Sequence, residues 1–89
     1  MNKVIKIHPS DNLVVAMDNL KKGEKVIVEN DEITLLYPVK QKHKFAQSDL
    51  NKNDPLIMYG VKVGVANQKV LKGEPLTTNN MDNDFSDRS

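Results

Sequence analysis

The sequence predicts a compact all-β domain of short strands and tight turns. Its apolar residues come in brief runs rich in Val and Ile, each closed by Gly, Pro, Asn or Asp, as expected of strands bounded by turns. One turn-like pattern recurs along the chain. The length, 89 residues, allows one domain at most, with a core that buries only about 60–65% of the unfolded surface.

Val4-Ile5-Lys6-Ile7 reads as a strand stopped by Pro9. Residues 8–12 form a turn in which Asp11 and Asn12 act as caps. Leu13-Val14-Val15-Ala16-Met17 is apolar at consecutive positions with a β-branched centre, which favours a strand buried on both faces. Val26-Ile27-Val28-Glu29 and Ile33-Thr34-Leu35-Leu36-Tyr37 are strands joined around Asn30-Asp31 and ended by Pro38. Ser48-Asp49-Leu50 reads as a turn or a single helical turn. Leu56-Ile57-Met58-Tyr59 is a buried strand, with Tyr59 expected in the core. Gly60 and Gly64 mark a kink or a close approach. Val65-Ala66, Val70-Leu71 and Leu76-Thr77-Thr78 are the last short apolar pieces.

The recurring pattern starts at Leu20, Leu50 and Val70. In each case an apolar residue lies three before a Gly or Asn (Gly23, Asn53, Gly73), an acid follows (Glu24, Asp54, Glu74), and a further apolar residue closes the segment. Gly and Asn best tolerate a left-handed backbone, so positive φ is expected at all three. The unequal spacing excludes a solenoid. From Asn79 the composition turns polar, which places a domain at residues 1–80 and a linker or tail at 81–89.

Several function classes are excluded or disfavoured. There is no Cys, hence no disulfide, thiolate metal site or thiol nucleophile, and a reducing, cytoplasmic setting is expected. No apolar run suits a signal peptide or a membrane span. A net charge of +1 and scarce aromatics argue against nucleic-acid binding. His8 and His43 are the only histidines, and with Asp11 they fall short of a metal-ligand set. Lys40, Lys42 and Lys44 alternate; on a strand they would share one face, either as an anion-attracting stripe or as a solvated edge. No nucleophile–base pair, phosphate loop or paired-carboxylate signature stands out.

Four segments in order carry a family resemblance. Ile7-His8-Pro9-Ser10-Asp11-Asn12-Leu13-Val14-Val15-Ala16 resembles the opening "IHxxDNVAVA" of altronate dehydratases. His43-Lys44-Phe45-Ala46 resembles their "GHKFA", Tyr59-Gly60 with Val63-Gly64 their "KYGxxIG", and Gly73-Glu74 their "AGE". The resemblance, which extends to galactarate dehydratases and sulfolactate sulfo-lyases, implies an SAF domain. That is a β-clip fold, shared with type III antifreeze proteins and the C-terminal part of sialic acid synthases. It implies an accessory domain or small subunit of a sugar-acid hydro-lyase, partnered by a larger catalytic part. A divalent metal, often iron, would be held there and none in this domain. It puts His8, Asn12, His43 and Lys44 among residues facing substrate or catalytic part, with no catalytic residue of the chain's own. An independent carbohydrate-binding or oligomerisation module is the rival. Two departures stand out. Lys42 replaces the frequent Gly before the central His, and Pro75, Thr77 and Asn79 stand where many members carry histidines in "GEHVHxHN", so no role of those histidines carries over.

Overall fold

A computed structural model describes residues 3–83. Among them are eight strands and no helix: β1 (Val4–Ile5), β2 (Leu13–Ala16), β3 (Lys25–Val28), β4 (Asp31–Thr34), β5 (Lys44–Ala46), β6 (Pro55–Met58), β7 (Val61–Ala66) and β8 (Met81–Asn83). They form three antiparallel sheets, β1-β2-β5, β3-β4 and β6-β7-β8. The all-β expectation holds, and Ser48-Asp49-Leu50 follows a bend at Gln47-Ser48 and forms no helical turn.

The sheets are too small to stand alone, and repeated turns tie them together. A single spacing occurs four times: an apolar residue at or just past the end of a strand (Ala16, Leu35, Ala46, Ala66), a second buried apolar residue four later (Leu20, Val39, Leu50, Val70), and a positive-φ residue three after that. The positive-φ residues are Gly23 (84°), Lys42 (73°), Asn53 (77°) and Gly73 (87°). All three positions expected from the sequence are left-handed, and Lys42 adds a fourth.

The four units couple in pairs by reciprocal backbone bonds. Gly23 N–H donates to Leu35 O (2.7 Å) and Lys42 N–H to Ala16 O (2.7 Å), while Leu20 and Val39 exchange both their bonds between the two turns (2.8 and 3.0 Å). In the second pair Asn53 N–H donates to Ala66 O (2.7 Å), Gly73 N–H to Ala46 O (2.9 Å), and Leu50 exchanges with Val70 (2.7 and 2.9 Å). Each turn is closed by a bond across it, such as Glu24 N–H to Lys21 O at 3.0 Å. In three of the four an acid also accepts the turn's first N–H: Glu24 from Lys21, Asp54 from Asn51 and Glu74 from Leu71. The Lys21 N–H and the Lys3 ammonium hold the Glu24 carboxyl below its ordinary value. The fourth turn has His43 in the acid's place.

Two hairpins complete the frame. Glu29-Asn30 and Tyr59-Gly60 both have positive φ, the signature of a type I′ turn. β4 therefore begins at Asp31, and Tyr59 sits on a turn instead of in the core, 63% exposed. β7 carries a bulge that leaves Val63 opposite no residue of β6, because Leu56 pairs Gly64 and Ile57 pairs Lys62.

Residues of the central sheet alternate between two cores. Val14, Ala16 and Phe45 join Val4, Val26, Ile33 and Val39 on one side. Leu13 and Ala46 join Leu56, Ala66, Val70 and Leu76 on the other, with Val15, Val63 and Met81 at its rim. The boundary at residue 80 does not survive: Met81 pairs with Ala66 and Asn83 with Gly64, so the sheet continues to Asn83. Residues 84–89 of the expected tail lie outside the described residues. Leu76-Thr77-Thr78 is not a strand; Pro75 makes a single bridge to Phe45.

The turn glycines carry different constraints. A Cβ at Gly23 would meet nothing, whereas at Gly73 it would collide with the carbonyl oxygen of Thr34. Gly23→Ala should therefore cost about 1 kcal/mol of backbone strain and Gly73→Ala at least about 2 kcal/mol more. Lys42→Gly should stabilise by about 0.5–1 kcal/mol. Urea melts of the three variants check this order, and equal losses at residues 23 and 73 would contradict it.

Candidate functional site

The four residues singled out from the sequence fall in two places. His8 and Asn12 belong to the segment that anchors the β6–β7 hairpin. Asp11, 3% exposed, accepts the N–H groups of Tyr59 (3.1 Å) and Gly60 (2.8 Å) and that of His8 (3.1 Å). Asn12 binds the β6 backbone with both ends of its amide, accepting Ile57 N–H (2.8 Å) and donating to Pro55 O (2.9 Å). The His8 ring accepts Ser10 N–H on Nδ1 (3.1 Å) and lies so close to Gly60 that a side chain there would displace it. Asp11 thus caps its own turn, as expected, and also splints a hairpin more than forty residues away; the Asn12 side chain does not cap the turn but is spent wholly on that hairpin.

His43 and Lys44 lie on a cleft. Two grooves meet along a wall made of Lys42, Lys44 and Met81. The first, about 360 Å³, is lined further by His43, Leu76, Thr77 and Thr78. The second, about 410 Å³, is lined by Val15, Met58, Tyr59 and Val63. Sequence and fold explain each wall. Lys44 pairs with Val15 across β2–β5, so both point to the side opposite Phe45. Leu76 N–H donates to Lys44 O (3.0 Å), which lays residues 76–78 beside β5. Asn80, 4% exposed, holds that loop by accepting Thr77 N–H (2.8 Å) and donating to Pro75 O (2.9 Å). The unpaired Val63 of the bulge and Met81 of β8 supply apolar floor from the second core.

Among the described residues the cleft is cationic on one side and apolar on the other, with no acidic lining residue. Among the described residues Lys42 and Lys44 have no ion-pair partner, unlike Lys3, Lys6 and Lys72, which pair with Glu24, Glu29 and Asp31. The three-lysine strand face is corrected: Lys40 and Lys42 belong to the turn, and only Lys44 lies in a strand. Among the described residues no group of three His, Asp or Glu side chains could hold a metal ion. The described residues do not fit a divalent metal. No helix of the described residues is long and apolar enough to cross a membrane.

Sequence reasoning missed Tyr59, Met81, Asn80 and the two threonines as parts of the cleft or its supports. The turn chemistry at Tyr59-Gly60 held the one available signal, because a Gly after an apolar run marks a hairpin as readily as a kink.

Short strands clipped by paired left-handed turns around two small cores define a β-clip domain. Comparison with known proteins places it further. The model of the altronate/galactarate dehydratase SAF domain matches residues 2–84, and the chain belongs to that family. Altronate dehydratase of Bacillus subtilis (strain 168) is 32% identical over 87 residues, which cover 98% of this chain and 18% of that protein. Altronate dehydratase of Escherichia coli (strain K12) is 37% identical over 83 residues, covering 93% and 17% respectively. The chain thus spans less than a fifth of the length of these relatives.

Asn12 offers a direct check on the division between support and cleft. Asn12→Ala should lose about 1–2 kcal/mol, because the part-buried Ile57 N–H is left without its acceptor. Chemical denaturation measures it; unchanged stability would return Asn12 to the ligand-facing set.

Proposed function

We propose that this chain is the SAF segment of a cytoplasmic sugar-acid hydro-lyase of the altronate dehydratase type. Its cleft covers or completes an active site whose acid, base and metal ligands lie in a larger catalytic part. One observation carries the reading: similarity runs over nearly the whole chain, yet occupies only 18% and 17% of two altronate dehydratases.

The chemistry is consistent with that role. Loss of water from a sugar acid removes a proton beside the carboxylate and a hydroxide from the next carbon. Negative charge gathers on the carboxylate as the proton leaves, and fixed cations beside it lower the barrier. Lys42 and Lys44 offer such cations, and His43, Thr77 and Thr78 offer partners for the substrate's hydroxyls. In this reading the chain contributes binding and charge, and proton transfer falls to the larger catalytic part. The substrate is an altronate- or galactarate-type acid, and the larger catalytic part is the partner.

The purified chain should not turn over altronate or galactarate above a buffer-plus-metal control, with or without ferrous iron. In the Bacillus subtilis altronate dehydratase carrying this chain in place of its matching segment, His43→Ala or Lys44→Ala should lower kcat/KM about tenfold or more, the worth of one charge-assisted bond. The melting temperature of the 89-residue chain should barely move. Turnover by the chain alone, or normal kcat/KM in both variants, would overturn the reading.

A further inference from the structure

The turn at residues 39–43 differs from its three internal counterparts at two successive positions, and both residues line the cleft. Where the other turns have Gly23, Asn53 and Gly73, it has Lys42 at φ 73°. Where they have Glu24, Asp54 and Glu74, it has His43. Each departure works against the turn. A long side chain is strained in the left-handed region, and without an acid the turn lacks the carboxylate that accepts the first N–H in the other three. The backbone duty of residue 42, donating to Ala16 O at 2.7 Å, needs no side chain, since Gly23 and Gly73 perform the same duty. The side chain of Lys42 therefore has its use in the cleft, where it forms part of the wall common to both grooves.

We propose that Lys42 is a specificity-determining anion ligand: with Lys44 it makes the cleft prefer a polyhydroxy acid with two carboxylates over one with a single carboxylate. Among the described residues two ammonium groups stand on the shared wall without an ion-pair partner, and no acid lines either groove. A monoanion leaves one of these charges uncompensated in the cleft, and a dianion matches both. An acid at position 43, as in the other three turns, would have cancelled one of them; the histidine keeps the charge and adds a hydrogen-bonding ring. The grooves, about 360 and 410 Å³, fall in the size range of small-molecule sites.

The inference rests on the proposed function for the chemistry of its ligand, and its test is separate. Titrate the ¹⁵N-labelled chain with the dianion galactarate and the monoanion altronate at equal ionic strength. Galactarate should bind about tenfold more tightly, the worth of one additional charge-assisted contact, and move the amides of residues 42–44 and 76–78. Lys42→Gly and Lys42→Asn, which install residues the equivalent turns already use, should stay folded and bind both acids equally; Lys42→Gly should also melt higher than the parent chain. Equal affinity of the parent for the two acids, no saturable shifts with either, or an undiminished preference in the folded variants would each overturn the proposal. An active chimaeric dehydratase without this preference removes this inference alone, while selective binding beside an inactive chimaera removes only the dehydratase reading.

Discussion

Twelve backbone hydrogen bonds, six in each reciprocal pair of turns, hold this domain in its shape. They exist because one residue in each turn takes a left-handed backbone, which swings its N–H toward a strand end of the partner unit. Strands of two to six residues cannot supply comparable order, since so short a ladder is marginal on its own. The clips convert such pieces into a fold. Each fixes two buried apolar residues, so that the first clip closes one core with Leu20 and Val39 and the second closes the other with Leu50 and Val70. The clips are themselves joined where Leu36 N–H meets Gly73 O and Gly73 lies against Thr34.

The cleft lies where this scheme is relaxed. Three turns combine a permissive residue with a capping acid; the one at the cleft has neither, and its two substituted side chains face the groove. The departure from an otherwise repeated device falls at a single place, the one that lines the cleft. The opposite occurs at Asp11 and Asn12. Asp11 was expected to cap its turn and Asn12 stands in the family motif, and the side chains of both are engaged with the β6–β7 hairpin.

Much of the frame was legible from residue types. Gly or Asn followed by an acid marked three turns, β-branched runs marked β2 and β3, and an apolar run bounded by turn signals marked β6. The fourth turn was hidden because Lys42 gives no sign of a left-handed backbone; the constraint comes from the partner strand and not from the residue. β5 and β8 were missed for a related reason. Lys44-Phe45-Ala46 shows no full alternation, and Met81-Asp82-Asn83 is mostly polar, so both are strands by backbone pairing alone. Tyr59 was misplaced because aromatic character suggested burial, whereas the two-residue hairpin loop puts it outside. Of the cleft, His43 and Lys44 were legible through the family motif. Thr77, Thr78 and Met81 were not, because their place depends on the bond from Leu76 to Lys44 and on buried Asn80.

Native-state hydrogen exchange of the N–H groups of Gly23, Lys42, Asn53 and Gly73 tests most directly whether the paired turns hold the fold. If they do, all four amides, although they belong to turns, exchange only through opening of the whole domain, with Lys42 the least protected of the set. Exchange of these amides at the rate of the exposed hairpin turn at Glu29-Asn30, with the strand cores still protected, would contradict it.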